Sequence, residues 1–380
     1  MTEYIGTLIQ PGQPGYPARV SIDSSGAAAI ERLDGPVDTG LVITPGLADL
    51  HNHGGAGYSF PTSSLEECRE AALHHRRFGT TTLLASTVSQ TREVLLPQLG
   101  ILASLVEEGS LDGIHAEGPF VNTCRCGAQD PAAIIPGDPE FFREMIEAAR
   151  GQLRSITFAP ETDHARELVD LCVQHDIIVS LGHTDANFDE TAAIVDYATS
   201  QGAQVTATHL FNAMPSLHHR NPGPIAALLD AASQREDVSV ELIADGVHLD
   251  NHTVQMVLNT VGYPAATFVS DAMGAAGKAD GDYVLGALAV TVRDGVARLR
   301  TEDGSEGSIA GGTSRVSDQV RLQSSVGLPL PEVLRSATSG HGLLNLAHRA
   351  SVSEGPANLV VWDEQMQVRE VYREGHRAQA

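Results

Sequence analysis

From Leu47 to about Met273, short apolar runs alternate with longer stretches whose apolar positions recur at helical spacing. The runs that read as strands end LADLHNHG, TTLLASTV, GIHAEGPF, SITFAPET, IIVSLGHTD, QVTATHLFN, VELIADGVHLD and TFVSDAM. Between them lie segments such as SLEECREAALHHRRFG and DETAAIVDYATSQG. The first opens on Ser64 with Glu67 three residues on, the pattern of a helix capping box. Such alternation predicts parallel strands joined by crossover helices, and the count predicts an α/β fold, a (β/α)8 TIM-like barrel with its functional residues at the C-terminal ends of the strands. A doubly wound open sheet shares the alternation, but no G-x-G-x-x-G follows a strand here.

Outside this region the helical period disappears. Residues 1–46 read as short strands punctuated by turns (YIGTLIQ, PGQPGYP, ARVSIDSSGAAAIERL), and from about Glu354 the run GPANLVVWDEQMQVREVYREG reads as strands again. The prediction is a small β-sandwich domain built from both termini, residues 1–46 and 346–380, with a barrel domain over 47–345 inserted between them. Within the barrel domain, YVLGALAVTVRDGVARLR predicts a β-hairpin insertion near 282–300 that turns at Asp294-Gly295, read as a flap near the last strand. SIAGGTSRV follows, Gly-rich and close to a helix start. Its backbone N–H groups could face a ligand, although an ordinary tight connection has the same pattern.

Composition narrows the partners. The chain has 380 residues, 42% of them hydrophobic, enough for a large core, and its formal net charge of -24 argues against nucleic acid or an anionic membrane. The segment MTEYIGTLIQPGQPGYPARV has no basic stretch followed by an apolar one, and no run is long enough to span a bilayer, so a cytoplasmic location is expected. Cys68, Cys124, Cys126 and Cys172 are few and lack zinc-ribbon spacing. No disulfide is expected, and Cys124-Arg125-Cys126 reads as an unligated loop pair, with contact to a substrate as the lesser alternative. Nearly all basic residues are Arg; Lys278 is the single Lys.

Candidate chemistry gathers at the ends of the apolar runs. LADL delivers His51 and His53, whose i, i+2 spacing puts both rings on one side of a strand, and imidazole nitrogens suit Zn, Fe and similar ions. His-x-His alone is as often structural. Glu117, His183, His209 and Asp271 end four further runs, and any one of them reads as a buried, hydrogen-bonded side chain. Together, the six metal-competent side chains at the strand tips of one barrel read as a metal site. His115 alternates with Glu117 and reads as a packed residue of the barrel interior.

PGLADLHNHG, HAEGPFVN followed by GAQDP, LGHTDA, THLFNAMPSLHHRNPG, IADGVHL and VSDAM occur in that order. On these motifs the chain resembles the amidohydrolase superfamily and, within it, the N-acetylglucosamine-6-phosphate deacetylase family, over almost its whole length. The resemblance implies that Glu117, His183 and His209 hold one divalent metal and that His51 and His53 join Glu117 in holding a second, one or two per subunit. Zn²⁺ suits this donor set first, with Fe²⁺ or Mn²⁺ as alternatives. Some amidohydrolases, of the dihydroorotase and hydantoinase types, bridge two metals with a carboxylated Lys. Lys278 lies beyond the last strand and cannot take that place, so Glu117 is the implied bridge.

The implied activity is hydrolysis of the N-acetyl group of N-acetylglucosamine 6-phosphate to glucosamine 6-phosphate and acetate, in amino-sugar catabolism and cell-wall recycling. Asp271 would act as the catalytic base, taking a proton from water and handing it to the leaving amine. Arg220 matches the phosphate-binding Arg, with His218 and His219 adding positive potential. Asn212, Ala213 and His248 match sugar-contacting positions, and Ala128, Ile309, Ala310, Gly311 and Gly312 further substrate-contacting ones. Gln129 stands among these positions where many relatives carry a His that polarises the carbonyl; its amide can donate a hydrogen bond but carries no charge. Asn358, where Asp is usual, reads as a structural change. Homodimers are typical, often with the neighbouring chain closing the phosphate site.

Two other readings compete. One is a metallohydrolase for a different N-acylated hexosamine phosphate or an N-acyl amino acid; the other is a catalytically silent barrel that binds sugar phosphate. Arg220 has no purpose toward a free N-acyl amino acid, and a binding protein has no use for the base Asp271.

Overall fold

The computed structural model describes residues 1–301 and 305–378, so the last two residues of the predicted 346–380 segment lie outside the described residues. The eight predicted apolar runs form one parallel sheet in chain order: Leu47–Asp49, Thr80–Ser86, Gly113–Glu117, Leu153–Phe158, Ile178–Leu181, Val205–Ala207, Val238–Leu242 and Ala266–Phe268. Helices such as Leu65–Arg77, Arg92–Glu107 and Phe188–Ser200 cross between consecutive strands, and the first begins with the Ser64 and Glu67 capping box. Side chains from the strands and the inner helix faces, including Leu83, Phe142, Phe158 and Phe268, are fully buried in one contiguous core.

Between the first and last strands of the barrel, side chains and strand-end backbone replace a regular ladder. Asp49 accepts from Ser270 N–H at 3.0 Å and Ser270 Oγ at 2.6 Å, while Asp271 N–H donates to His51 O at 2.8 Å and His53 N–H to Ala272 O at 2.7 Å. The seam thus joins the His51-x-His53 tip to the Asp271 tip.

Strands from both termini share a second, eight-stranded sheet. Only residues 357 and 358 separate its edge strand Gly355–Pro356 from Leu359–Trp362 in the other half of the sheet, so the sheet curls back over its own apolar cluster, which includes Leu8, Val20, Ile43 and Leu359. Trp362 is fully buried and donates to Thr44 Oγ1 at 2.8 Å. Asn358 donates to Pro356 O and accepts from Glu374 N–H, a purely structural use of that amide.

The insertion after the last barrel strand is larger than one hairpin. The turn at Asp294-Gly295 forms, with φ of 50° and 74° as a tight two-residue turn requires, but it lies within a four-stranded antiparallel meander: Gly281–Leu285, Leu288–Arg293, Val296–Arg300 and Glu306–Ile309. The last of these, EGSI, is too short and polar to show a strand period. No helix among the described residues is long and apolar enough to cross a membrane.

Asp112, at the N-terminal end of the third barrel strand, ties the two sheets together. Its carboxylate accepts from Arg349 at 2.6 Å, Arg373 at 2.7 Å, Arg76 at 3.4 Å and the Leu83 N–H at 2.9 Å. Burial raises the Asp112 pKa, but the three guanidinium groups outweigh it and hold the carboxyl down at about 2. Because the folded pKa lies below the unfolded one, this stabilisation is full above about pH 4 and fades as pH falls toward 2. Asp112→Asn leaves buried guanidinium charge uncompensated and is expected to lower unfolding free energy by about 3–5 kcal/mol at neutral pH. Denaturant titration of both proteins, repeated at pH 3, checks this; the gap should narrow in acid.

Candidate active site at the strand tips

The six predicted strand-tip residues meet at the C-terminal mouth of the barrel. His183, His209 and Asp271 have φ of 47°, 26° and 46°, left-handed backbone that costs a non-glycine residue energy and that the seam and strand-end hydrogen bonds hold in place. Glu117 is central. Its Oε1 lies 3.0 Å from Nε2 of both His183 and His209 and 3.4 Å from Nε2 of His51, and its Oε2 lies 3.4 Å from Nε2 of His53. Asp271 Oδ1 is 3.1 Å from His53 Nε2.

All six are buried. Burial opposes the ionised form of both carboxylates. For Glu117 the neighbouring His183 and His51 more than reverse this, holding its pKa well below the usual range; for Asp271 the His53 hydrogen bond and the His51 and His53 charges bring the value to about 2. Both are therefore anionic at neutral pH.

The donor set suits a divalent cation. His51 Nδ1–H donates to Glu241 at 3.1 Å and His183 Nδ1–H to Arg125 O at 2.8 Å, so Nε2 is the atom each presents to Glu117. Burial lowers the pKa of both imidazoles but Glu117 raises it by more, and a cation at Nε2 would take the place of that proton. Nε2 of His51 lies 3.1 Å from Nε2 of His53, and the His183–His209 pair repeats that spacing. Paired imidazole nitrogens beside a carboxylate are an arrangement that suits a cation among them. Two groups satisfy this, His51/His53/Glu117 and Glu117/His183/His209, each with ligand atoms within 4.8 Å of one another.

A cavity of about 440 Å³ opens above the cluster, lined by His53, Glu117, His183, His209 and Asp271 and by the predicted substrate contacts Ala128, Gln129, Asn212, Ala213, His248, Ile309 and Gly311. His248 Nδ1–H donates to Asp245 at 2.9 Å, committing that atom and leaving Nε2 as the one available to a ligand.

Four predicted residues do not reach the wall. His51 lies beneath it, fully buried. Ala310 packs into the apolar cluster under the insertion, its N–H bonded to Ala297 O. Gly312 N–H donates to Asp271 O at 2.6 Å, and a Cβ there would sit 2.4 Å from Ser270 O. The Gly-rich turn therefore lets the chain pass close beneath the Asp271 tip, and those two N–H groups do not face a ligand. Arg220 lies on an exposed loop beside His218 and His219, outside the cavity wall.

The sequence reading missed several residues. Gly127, Met214, Leu285 and Ser308 also line the cavity, as do Cys124 and Arg125, from the loop for which substrate contact is the lesser alternative. Glu241, a lone carboxylate in the apolar run VELIA, accepts from His51 Nδ1–H and from the His209 N–H at 3.1 Å; its isolation in that run was the available signal. His115 bonds Ser86 and Thr157 in the barrel interior, as its alternation predicts.

No family model matches the chain. It is 34% identical over 298 residues to an N-acetylglucosamine-6-phosphate deacetylase of Bacillus subtilis (strain 168), covering 77% of this chain and 71% of the relative. It is 30% identical over 356 residues to an enzyme of the same name from Lysinibacillus sphaericus, covering 92% and 88%. Among solved structures, a mutant N-acetyl-D-glucosamine-6-phosphate deacetylase from Mycobacterium smegmatis in complex with N-acetyl-D-glucosamine-6-phosphate superposes with a TM-score of 0.87 at 34% identity, covering 100% of both chains.

Proposed function

The chain belongs to the N-acetylglucosamine-6-phosphate deacetylase family, and from that premise we infer that its strand-tip cluster hydrolyses the acetamide of N-acetylglucosamine 6-phosphate to glucosamine 6-phosphate and acetate. The observation that carries this reading is the convergence of four imidazoles and two anionic carboxylates, all but His51 lining the cavity and His51 directly beneath it. Such a reaction serves amino-sugar catabolism and cell-wall recycling in the cytoplasm.

Glu117, His183 and His209 would hold one ion and His51, His53 and Glu117 a second; the donors favour Zn²⁺ over Fe²⁺ or Mn²⁺. A divalent ion bound there supplies Lewis acidity toward the carbonyl and makes water a stronger acid at neutral pH. Asp271, anionic and beside His53, takes a proton from the water whose oxygen adds to the carbonyl carbon. It returns that proton to nitrogen as the C–N bond breaks, so the amine leaves neutral and the water oxygen stays in acetate. His248 and Asn212 supply polar contacts to sugar hydroxyls, and Ala128, Ala213, Ile309 and Gly311 shape the wall.

Arg220 is the proposed phosphate ligand. Arg220 is exposed and outside the wall, so in this reading the phosphate sits at the cavity rim, where a second subunit of a homodimer would close over it. Arg220→Ala is expected to raise KM for the phosphorylated sugar by about 10- to 100-fold with a far smaller change in kcat, the loss of one hydrogen-bonded charge contact. Steady-state acetate release measures both constants; an unchanged KM removes Arg220 from the site.

A further inference from the structure

Gln129 holds Glu117 asymmetrically. The amide is 3% exposed and hydrogen-bonded at both ends: Oε1 accepts from the Ser89 N–H at 2.5 Å and Nε2 donates to Glu117 Oε2. Its orientation is fixed by chemistry, because a backbone N–H can only donate and an ionised carboxylate can only accept. Flipping the amide would place donor against donor and acceptor against acceptor.

The two oxygens of Glu117 are therefore unequal. Oε1 has no amide on it and lies 3.0 Å from both His183 Nε2 and His209 Nε2, and 3.4 Å from His51 Nε2. Oε2, the oxygen 3.4 Å from His53 Nε2, already accepts from Gln129. An ion in the His183/His209 group meets a carboxylate oxygen aimed at both of its imidazoles at 3.0 Å, whereas an ion in the His51/His53 group meets that oxygen only on its His51 side, at 3.4 Å, and on its His53 side an oxygen already shared with a hydrogen-bond donor.

We propose that Gln129 is a positioning residue that sets the filling order of the two metal groups: Glu117/His183/His209 fills first and tightly, and His51/His53/Glu117 fills second and weakly. The proposal rests on the metal-dependent reading above. It gives Gln129 a role besides substrate contact: one N–H and the carbonyl of its amide are engaged below, while the side chain also lines the cavity.

The test is titration of metal-stripped protein with Zn²⁺ by calorimetry, with a chromophoric chelator as competitor for tight binding. Wild type should bind in two steps separated by about tenfold or more in affinity. Gln129→Leu keeps the volume and removes the donor; the tight step should weaken by about 10- to 100-fold, as outer-shell substitutions do. Gln129→Glu keeps the acceptor for the Ser89 N–H and brings a carboxylate to the Oε2 side, so the weak step should tighten. A variant that was merely less stable would tighten neither step, and Gln129→Glu alone decides the matter if Gln129→Leu does not fold. Wild type binding two ions whose affinities neither substitution alters overturns the inference alone. Wild type binding no Zn²⁺ overturns both the inference and the metal reading beneath it.

Discussion

Asp271→Asn should keep its metal and lose its turnover, with kcat lower by about a thousandfold or more, within the range that a positioned acid–base group supplies. The substitution preserves shape. The Asp271 N–H still donates to His51 O and its carbonyl still accepts from Gly312 N–H, so the strand tip and its left-handed backbone should persist. What is lost is a proton acceptor. Asp271 is ionised at neutral pH because His51 and His53 hold its pKa near 2 against the burial that would raise it. An amide in its place can accept a hydrogen bond from water but cannot take the proton, and the amine nitrogen then has no donor when the C–N bond must break. Acetate release and metal content measured on the same preparation separate this from a folding defect. A near-normal rate would show that another group moves the proton.

Glu117→Gln should have the second largest effect and a different signature. Glu117 is the one residue common to both metal groups, and its carboxylate lies within 3.4 Å of all four imidazole Nε2 atoms. The amide is uncharged and presents one acceptor oxygen, so metal affinity should fall by about a hundredfold or more at both groups, beyond the 10- to 100-fold typical of outer-shell changes. Dialysed protein should be metal-poor, and its residual turnover should rise with added Zn²⁺. Asp271→Asn should show neither behaviour. Elemental analysis after dialysis distinguishes the two variants, and a Glu117→Gln protein with full metal content would remove Glu117 from the ligand set.

The barrel and the positions of its six tip residues were legible because both are local patterns. Each strand is a short apolar run, and each candidate ligand is the polar residue at which that run stops. What joins the tips was not legible. Asp49 meets Ser270 across 221 residues of chain, and Glu241 meets His51 across 190, through side chains whose direction is set only once the barrel closes. The glycines of SIAGGTSRV read equally well as a ligand loop or a tight connection, and the clash a Cβ at Gly312 would make with Ser270 O favours the second. Gln129 reads as a substrate contact from its motif; its hydrogen bonds to Ser89, in the loop after the second barrel strand, and to Glu117, at the tip of the third, form only once the fold brings them together. Arg220 lies in an exposed loop whose path no apolar period encodes.

The most direct test of the account is acetate release from N-acetylglucosamine 6-phosphate by the Zn²⁺-loaded wild type and Asp271→Asn, side by side, with metal content assayed in both. The account predicts acetate from wild type only, with chelation abolishing it and both proteins holding equal metal. No acetate from metal-loaded wild type, or equal rates from the two proteins, would contradict it.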